Sequence, residues 1–287
     1  MRKTGIETSA YFKLDGYEEG FKKMREHGYD CADYQNFVNT ETDFFKADIA
    51  SFEKQLISQR TSAQNAGIEI YQTHAPWRFP PHDSTPKERA ERSEKMKKAL
   101  YGTGVLGAKY MAIHPVMPFG HYSDPEPEKL LEINLEFFNG LIGTAKENGV
   151  VLCIENMPML ELSASTPMQT LNMVKLLNSE NVGMCFDTGH CWVFNLSPAE
   201  ELLKVKDYVK CLHIHDNNKK LDLHTMPFFG SITESQCIDW EAFKEALKQI
   251  DESIPVSLET KVNGNLPEVI KEPFQISLSK IAKYLAE

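Results

Sequence analysis

Eight short apolar runs, each followed by a longer segment of helical period, constrain this chain more than any other feature. The strand candidates are GIETSA (5–10), YDCADY (29–34), IEIYQTHA (68–75), YMAIHP (110–115), VVLCIEN (150–156), VGMCFD (182–187), VKCLHIHD (209–216) and IPVSLET (254–260). Helix candidates fall between and after them at 17–27, 49–66, 86–106, 127–148, 167–177, 198–205, 240–250 and 266–285. Several open on start signals: Ser84 or Thr85 stands before Pro86, and Ser197 before Pro198, with acids in the first turn. Strand and helix alternating along a whole chain predict a parallel sheet. Eight such units in 287 residues predict one (β/α)8 TIM barrel domain over residues 1–287. An open doubly wound sheet is the alternative, but ETSAYFKLDGYEEG after the first strand holds no GxGxxG phosphate loop. No linker, repeat or low-complexity tract interrupts the pattern.

Composition narrows the partners. No apolar run approaches the ~20 residues of a membrane-spanning helix, and the first 21 residues lack the apolar core of a secretory signal. A cytoplasmic protein is expected. The six cysteines form no CxxC pair and are expected to be free thiols. A formal charge of -10 gives no general attraction for phosphate backbones, which favours a small-molecule partner over nucleic acid.

The ligand-type residues coincide with strand ends. His74 ends the third run, His114 the fourth, Glu155 the fifth, Asp187 the sixth, His213 and His215 the seventh, and Glu259 the eighth. His190 follows the sixth, and Asp222 with His224 lies in the loop after the seventh. Barrel enzymes build their sites at these C-terminal strand ends, where the βα loops converge. Alone, Glu155 reads equally well as a salt-bridged rim residue, and His74 or His114 as a hydrogen-bonded loop histidine. His213 and His215 share a parity that turns both to one face of their strand. Imidazoles mixed with carboxylates suit Zn2+, Mn2+ or a related transition metal better than Ca2+ or Mg2+.

The motifs IENMP, GMCFDTGHCW, LHIHD, DLHTMPFFGSI and SLET, in this order, resemble the xylose-isomerase-like barrel superfamily, which includes sugar and sugar-phosphate isomerases and epimerases as well as endonuclease IV. The epimerase branch of that resemblance implies one divalent ion, Mn, Co or Zn, held by Glu155, Asp187, His213 and Glu259. His213 is preferred to His215 because it is the first residue of the H-x-x-D pattern. The same resemblance implies a metal-stabilised enediolate of an open-chain keto-sugar, with Glu155 and Glu259 as the catalytic pair that moves the proton. The endonuclease branch implies three zincs. All nine of its ligands have counterparts here, at His74, His114, Glu155, Asp187, His190, His213, Asp222, His224 and Glu259, with Trp77 at the position of a DNA-entering aromatic. A keto-sugar lyase or deglycosylase subunit is a third implication.

The negative charge and the acidic loop NFVNTETDFFKAD weigh toward the sugar branch. His74, His114, His190, His215, Asp222, His224 and Trp77 are then expected to contact the sugar or hold additional zinc. Trp77, Phe79, Phe119, Trp192, Phe228 and Phe229 are candidates to stack on a sugar or on a partner chain, as in a homo-oligomer.

Overall fold

The computed structural model describes residues 1–230, 237–260 and 265–287, without the side chains of 13–15 and 268, so the Ser-Ile end of the DLHTMPFFGSI motif lies outside the described residues. The eight expected strands are present as β1 (Thr4–Glu7), β2 (Cys31–Tyr34), β3 (Glu69–His74), β4 (Tyr110–Ile113), β5 (Val151–Glu155), β6 (Val182–Asp187), β7 (Val209–His213) and β8 (Val256–Leu258). They form one parallel sheet in the order β7-β6-β5-β4-β3-β2-β1-β8. The ring closes just beyond β7, where Ile214 N donates to Ser257 O at 2.9 Å and Glu259 N donates to Ile214 O at 3.1 Å. The fold is a (β/α)8 barrel.

The helices are α1 (Ser9–His27), α2 (Asp43–Lys46), α3 (Ile49–Ala66), α4 (Pro86–Leu106), α5 (Pro127–Glu147), α6 (Pro167–Leu177), α7 (Thr188–Val193), α8 (Pro198–Val205), α9 (Trp240–Leu247) and α10 (Glu268–Ala286). Capping explains their sharp starts. Thr85 and Glu88 close a full capping box at α4, Thr166 and Gln169 another at α6, and Pro occupies the first turn of both. The first unit departs from expectation. β1 stops at Glu7 rather than running to residue 10, because the Thr8 carbonyl already accepts helical bonds from Tyr11 N and Phe12 N. Gly16, at φ 72 and ψ 179, then breaks this extra turn from the expected helix at 17–27. None of the described helices is long and apolar enough to cross a membrane.

Strand parity splits the core in two. Leu152, Ile154, Met184, Phe186, Leu212 and Ile214 belong to the large apolar layer between sheet and helices. Cys31, Tyr71, Cys153, Cys185 and Cys211 form a separate small cluster. Cys153, Cys185 and Cys211 stand two residues before Glu155, Asp187 and His213, so the same face carries thiols below and ligand-type groups above. A register shift between Ala32 and Asp33 skips Tyr71, which joins the thiol cluster while Gln72 meets Asp33. All six cysteines are free, and five are buried.

Candidate metal centre

The barrel mouth draws one residue or more from every strand end. Glu155 and Asp187 end β5 and β6, His74 and His213 end β3 and β7, and His114 and Glu259 stand one residue past β4 and β8. Asp187 is both strand end and helix cap: its Oδ1 accepts from His190 N at 2.6 Å, which starts α7 and returns His190 to the mouth. Of the eleven residues expected to bind metal or substrate, nine are buried, and Trp77 and Asp222 are not. Asp222 is partly open, its side chain 29% exposed.

Three groups of ligand atoms result. Glu155, Asp187, His213 and Glu259 each bring an atom within 4.8 Å of the others, with His213 Nδ1 at 3.0 Å from Glu155 Oε1 and 3.3 Å from Glu259 Oε2. His74 and His114 turn Nε2 toward Glu155 Oε2 at 3.7 and 3.2 Å. On the other side, His190, His215 and His224 place Nε2 at 3.4, 3.8 and 3.1 Å from the Asp222 carboxylate. His215 Nε2 also lies 3.1 Å from Asp187 Oδ2, which joins this group to the first.

The hydrogen bonds behind the imidazoles fix what faces inward. Nδ1 of His74, His190, His215 and His224 meets the backbone carbonyl of Ala75, Asn156, Asp216 and Glu259 respectively, at 2.8 to 3.2 Å. A carbonyl only accepts, so these nitrogens carry hydrogen and a neutral ring presents its Nε2 lone pair to the mouth. A lone pair facing a carboxylate oxygen at about 3 Å is repulsive unless a proton or a cation lies between them. Glu155 Oε2 and Glu259 Oε2 sharpen the point. Both are buried without a hydrogen bond, although imidazole nitrogens stand 3.2 and 3.3 Å away off the bonding line. This donor set, rich in imidazole and carboxylate and backed by carbonyls, fits a divalent transition metal.

Charge crowding agrees. Burial alone would raise Glu155, yet the His213 and His114 imidazoles hold it well below the usual carboxylate range. Glu259 goes the other way: burial, with the negative charges of Glu155 and Asp187, pushes it well above that range despite His213. Burial would lower His213, but Glu155 and Glu259 lift it well above an ordinary imidazole. Asp187 and Asp222 do the same for His190. His114 is depressed by its burial to about 4. A shared cation relieves the carboxylate repulsion and replaces the extra protons.

Trp77 sits at the rim with its ring centroid 4.4 Å from that of His114, and Arg92 lies 5.9 Å over it while donating to His114 O at 2.7 Å. A cleft lined by Thr40, Trp77, Arg78, His82 and Asp83 runs beside this rim. Of the other aromatic candidates, Phe228 packs on Trp240 and Tyr284, Phe79 on His121, and Trp192 lies under the Lys219 ammonium. These contacts are loop packing rather than a ring platform over the cluster.

Three mouth residues escape the sequence reading. Asn156 pins Asp187 from both sides, its Nδ2 donating to Asp187 O and its Oδ1 accepting from Asp187 N, each at 2.9 Å. Asp33, fully buried on β2, meets His213 Nε2 at 3.0 Å. Glu7 ends β1 close enough to add to the upward push on Glu259. The strand-end rule that finds the other ligands points at Glu7 as well, once the first strand is given its true end.

The family model described as xylose isomerase-like TIM barrel matches residues 21–279. An uncharacterised protein of Methanocaldococcus jannaschii is 28% identical over 75% of this chain and 73% of its own length. A probable endonuclease 4 of Mycoplasmopsis synoviae is 26% identical, covering 71% of this chain and 74% of the relative. The solved D-psicose 3-epimerase of Clostridium cellulolyticum H10 superposes with a TM-score of 0.75, covering 99% of each chain at 17% identity, a likeness of fold.

Proposed function

Because this chain belongs to the xylose isomerase-like TIM barrel family, we propose that it is a divalent-metal-dependent isomerase or epimerase of a small keto-sugar, moving a proton at the carbon next to the carbonyl. The observation that carries the reading is the pair of buried carboxylates, Glu155 and Glu259, that flank His213 Nδ1 at 3.0 and 3.3 Å with one oxygen of each lacking a hydrogen bond. Glu155, Asp187, His213 and Glu259 are the residues that would hold Mn2+, Co2+ or Zn2+. Such an ion, when bound, supplies the positive charge that polarises adjacent substrate oxygens and acidifies the neighbouring C–H.

The chain's own groups do the rest. One carboxylate of the pair removes the proton and the other returns it; return to the opposite face of the same carbon gives the epimer, and return to the neighbouring carbon gives the isomer. The buried mouth excludes water from the intermediate. His190, His215 and His224 offer Nε2 to substrate hydroxyls, and the rim cleft beside Trp77 takes the distal end of the sugar. Titration with Mn2+ followed by incubation with free ketoses in deuterium oxide tests this. Deuterium is expected at the carbon next to the carbonyl, and Glu259→Gln should abolish its entry while the protein stays folded. Exchange at full rate in that variant overturns the assignment of Glu259.

A second reading has its own observation. The groups His74–His114–Glu155 and His190–His215–Asp222–His224 abut the first and resemble a three-metal phosphodiesterase mouth. Against it, the molecule carries a net charge of -10 and concentrates acids at this mouth, Glu7 and Asp33 among them, which repels a phosphate backbone. Incubation with an abasic-site oligonucleotide separates the two, since strand cleavage lost in Glu155→Gln supports the phosphodiesterase and intact DNA supports the sugar enzyme.

A further inference from the structure

We infer that Asp33 is a positioning residue for the metal centre, holding the His213 ring so that Nδ1 is its ligating nitrogen. The inference rests on the metal-centre reading above. Asp33 is fully buried on β2, three strands away from β7 around the ring through β1 and β8. Its Oδ2 gathers three nitrogens: His213 Nε2 at 3.0 Å, Gln72 Nε2 at 3.1 Å and Gln35 Nε2 at 3.2 Å. Gln72 Nε2 also reaches Leu212 O at 3.3 Å, so the same amide ties Asp33 to the backbone beside His213.

Chemistry assigns the direction of these bonds. Asp33 Oδ2 accepts from the Gln72 and Gln35 amides, and as the acceptor for His213 Nε2 as well it leaves the Nδ1 lone pair for the space between Glu155 and Glu259. The four carbonyl-backed imidazoles show the opposite sense, with Nδ1 backed and Nε2 inward. His213 alone among these five is backed by a carboxylate, which strengthens the imidazole as a ligand more than a carbonyl does. A filler role does not account for the placement. Oδ1 of Asp33 has no hydrogen-bond partner, a cost of burial that an apolar filler at this position would not carry. The register shift between Ala32 and Asp33 brings Gln72 to this carboxylate and supplies its support.

Two variants test the inference. Asp33→Ala removes the acceptor, and Asp33→Asn keeps a neutral one that can still accept from His213. Mn2+ and Zn2+ dissociation constants measured by chelator competition should rise about 10- to 100-fold in Asp33→Ala and less in Asp33→Asn. In zinc-loaded wild type, nitrogen-resolved NMR of 15N-histidine should show His213 as the Nε2–H tautomer, and that signal should be lost or mixed in Asp33→Ala. If Asp33→Ala proves unfolded, Asp33→Asn carries the test through the same two readouts. A variant that melts lower without metal yet binds metal as tightly as wild type, with the tautomer unchanged, overturns the positioning role alone. A wild type that binds neither ion overturns the metal-centre reading and this inference with it.

Discussion

Gly189 shows how tightly single residues are fitted at this mouth. A Cβ there would lie 2.0 Å from Cε1 of His215, so any side chain displaces that ring. Gly189→Ala is expected to destabilise the protein by about 1 to 3 kcal/mol and to weaken metal retention, read by thermal melting and metal content. An unchanged melting temperature would contradict the packing. His114 makes a second prediction. Its pKa of about 4 lies below the ~6.5 of an unfolded histidine, so the folded state binds fewer protons between these values. The stability it contributes is complete above pH 6.5 and is lost as pH falls toward 4. In metal-free protein, His114→Gln should therefore lose less stability than wild type between pH 7 and 4, by up to about 3 kcal/mol in denaturant titrations. Equal pH slopes would contradict this. The ligands at the ends of β3 to β8 are legible in the sequence because acids and histidines stand out after apolar runs. Asp33 is not, because in YDCADY a second acid, Asp30, blurs the run and hides which one faces inward.

Helices are more legible than strands, and the reason is capping. α3, α4, α6 and α8 begin and end where the sequence places them, each with a Ser, Thr or Asp side chain accepting at its start. Strands read long because apolar and polar mouth residues continue past the last ladder bond. His215 and Asp216 follow β7, and Ala75 follows β3, still buried. The residues after β6, which none of the expected helices covers, fold as α7, since the Asp187 carboxylate caps it. One cap can be tested away from the mouth. Thr166→Ala removes the bond from Gln169 N and breaks the box at α6, with an expected loss of about 1 kcal/mol and no change in metal content. A loss of metal would mean that α6 supports the centre in a way its cap does not explain.

At the scale of the whole molecule, the fold and the function draw on opposite faces of the same strands. Outward-facing Leu152, Met184, Phe186 and Leu212 anchor the helices, while the inward Glu155, Asp187 and His213 rise above a thiol floor. Eight alternations are enough to specify that barrel. Apart from Trp77, the loop aromatics pack on neighbouring residues rather than over the cluster, which is why the sequence yields the donor groups of the mouth more readily than what they bind. The central claim is that this mouth is a metal centre built on Glu155, Asp187, His213 and Glu259, and metal analysis tests it most directly. Protein purified without added metal, then dialysed against trace divalent ions, should retain about one tightly held transition-metal ion per chain, and Asp187→Asn should lose it while remaining folded. A folded wild type that retains no metal, and whose melting temperature is indifferent to both Mn2+ and chelator, would contradict the account.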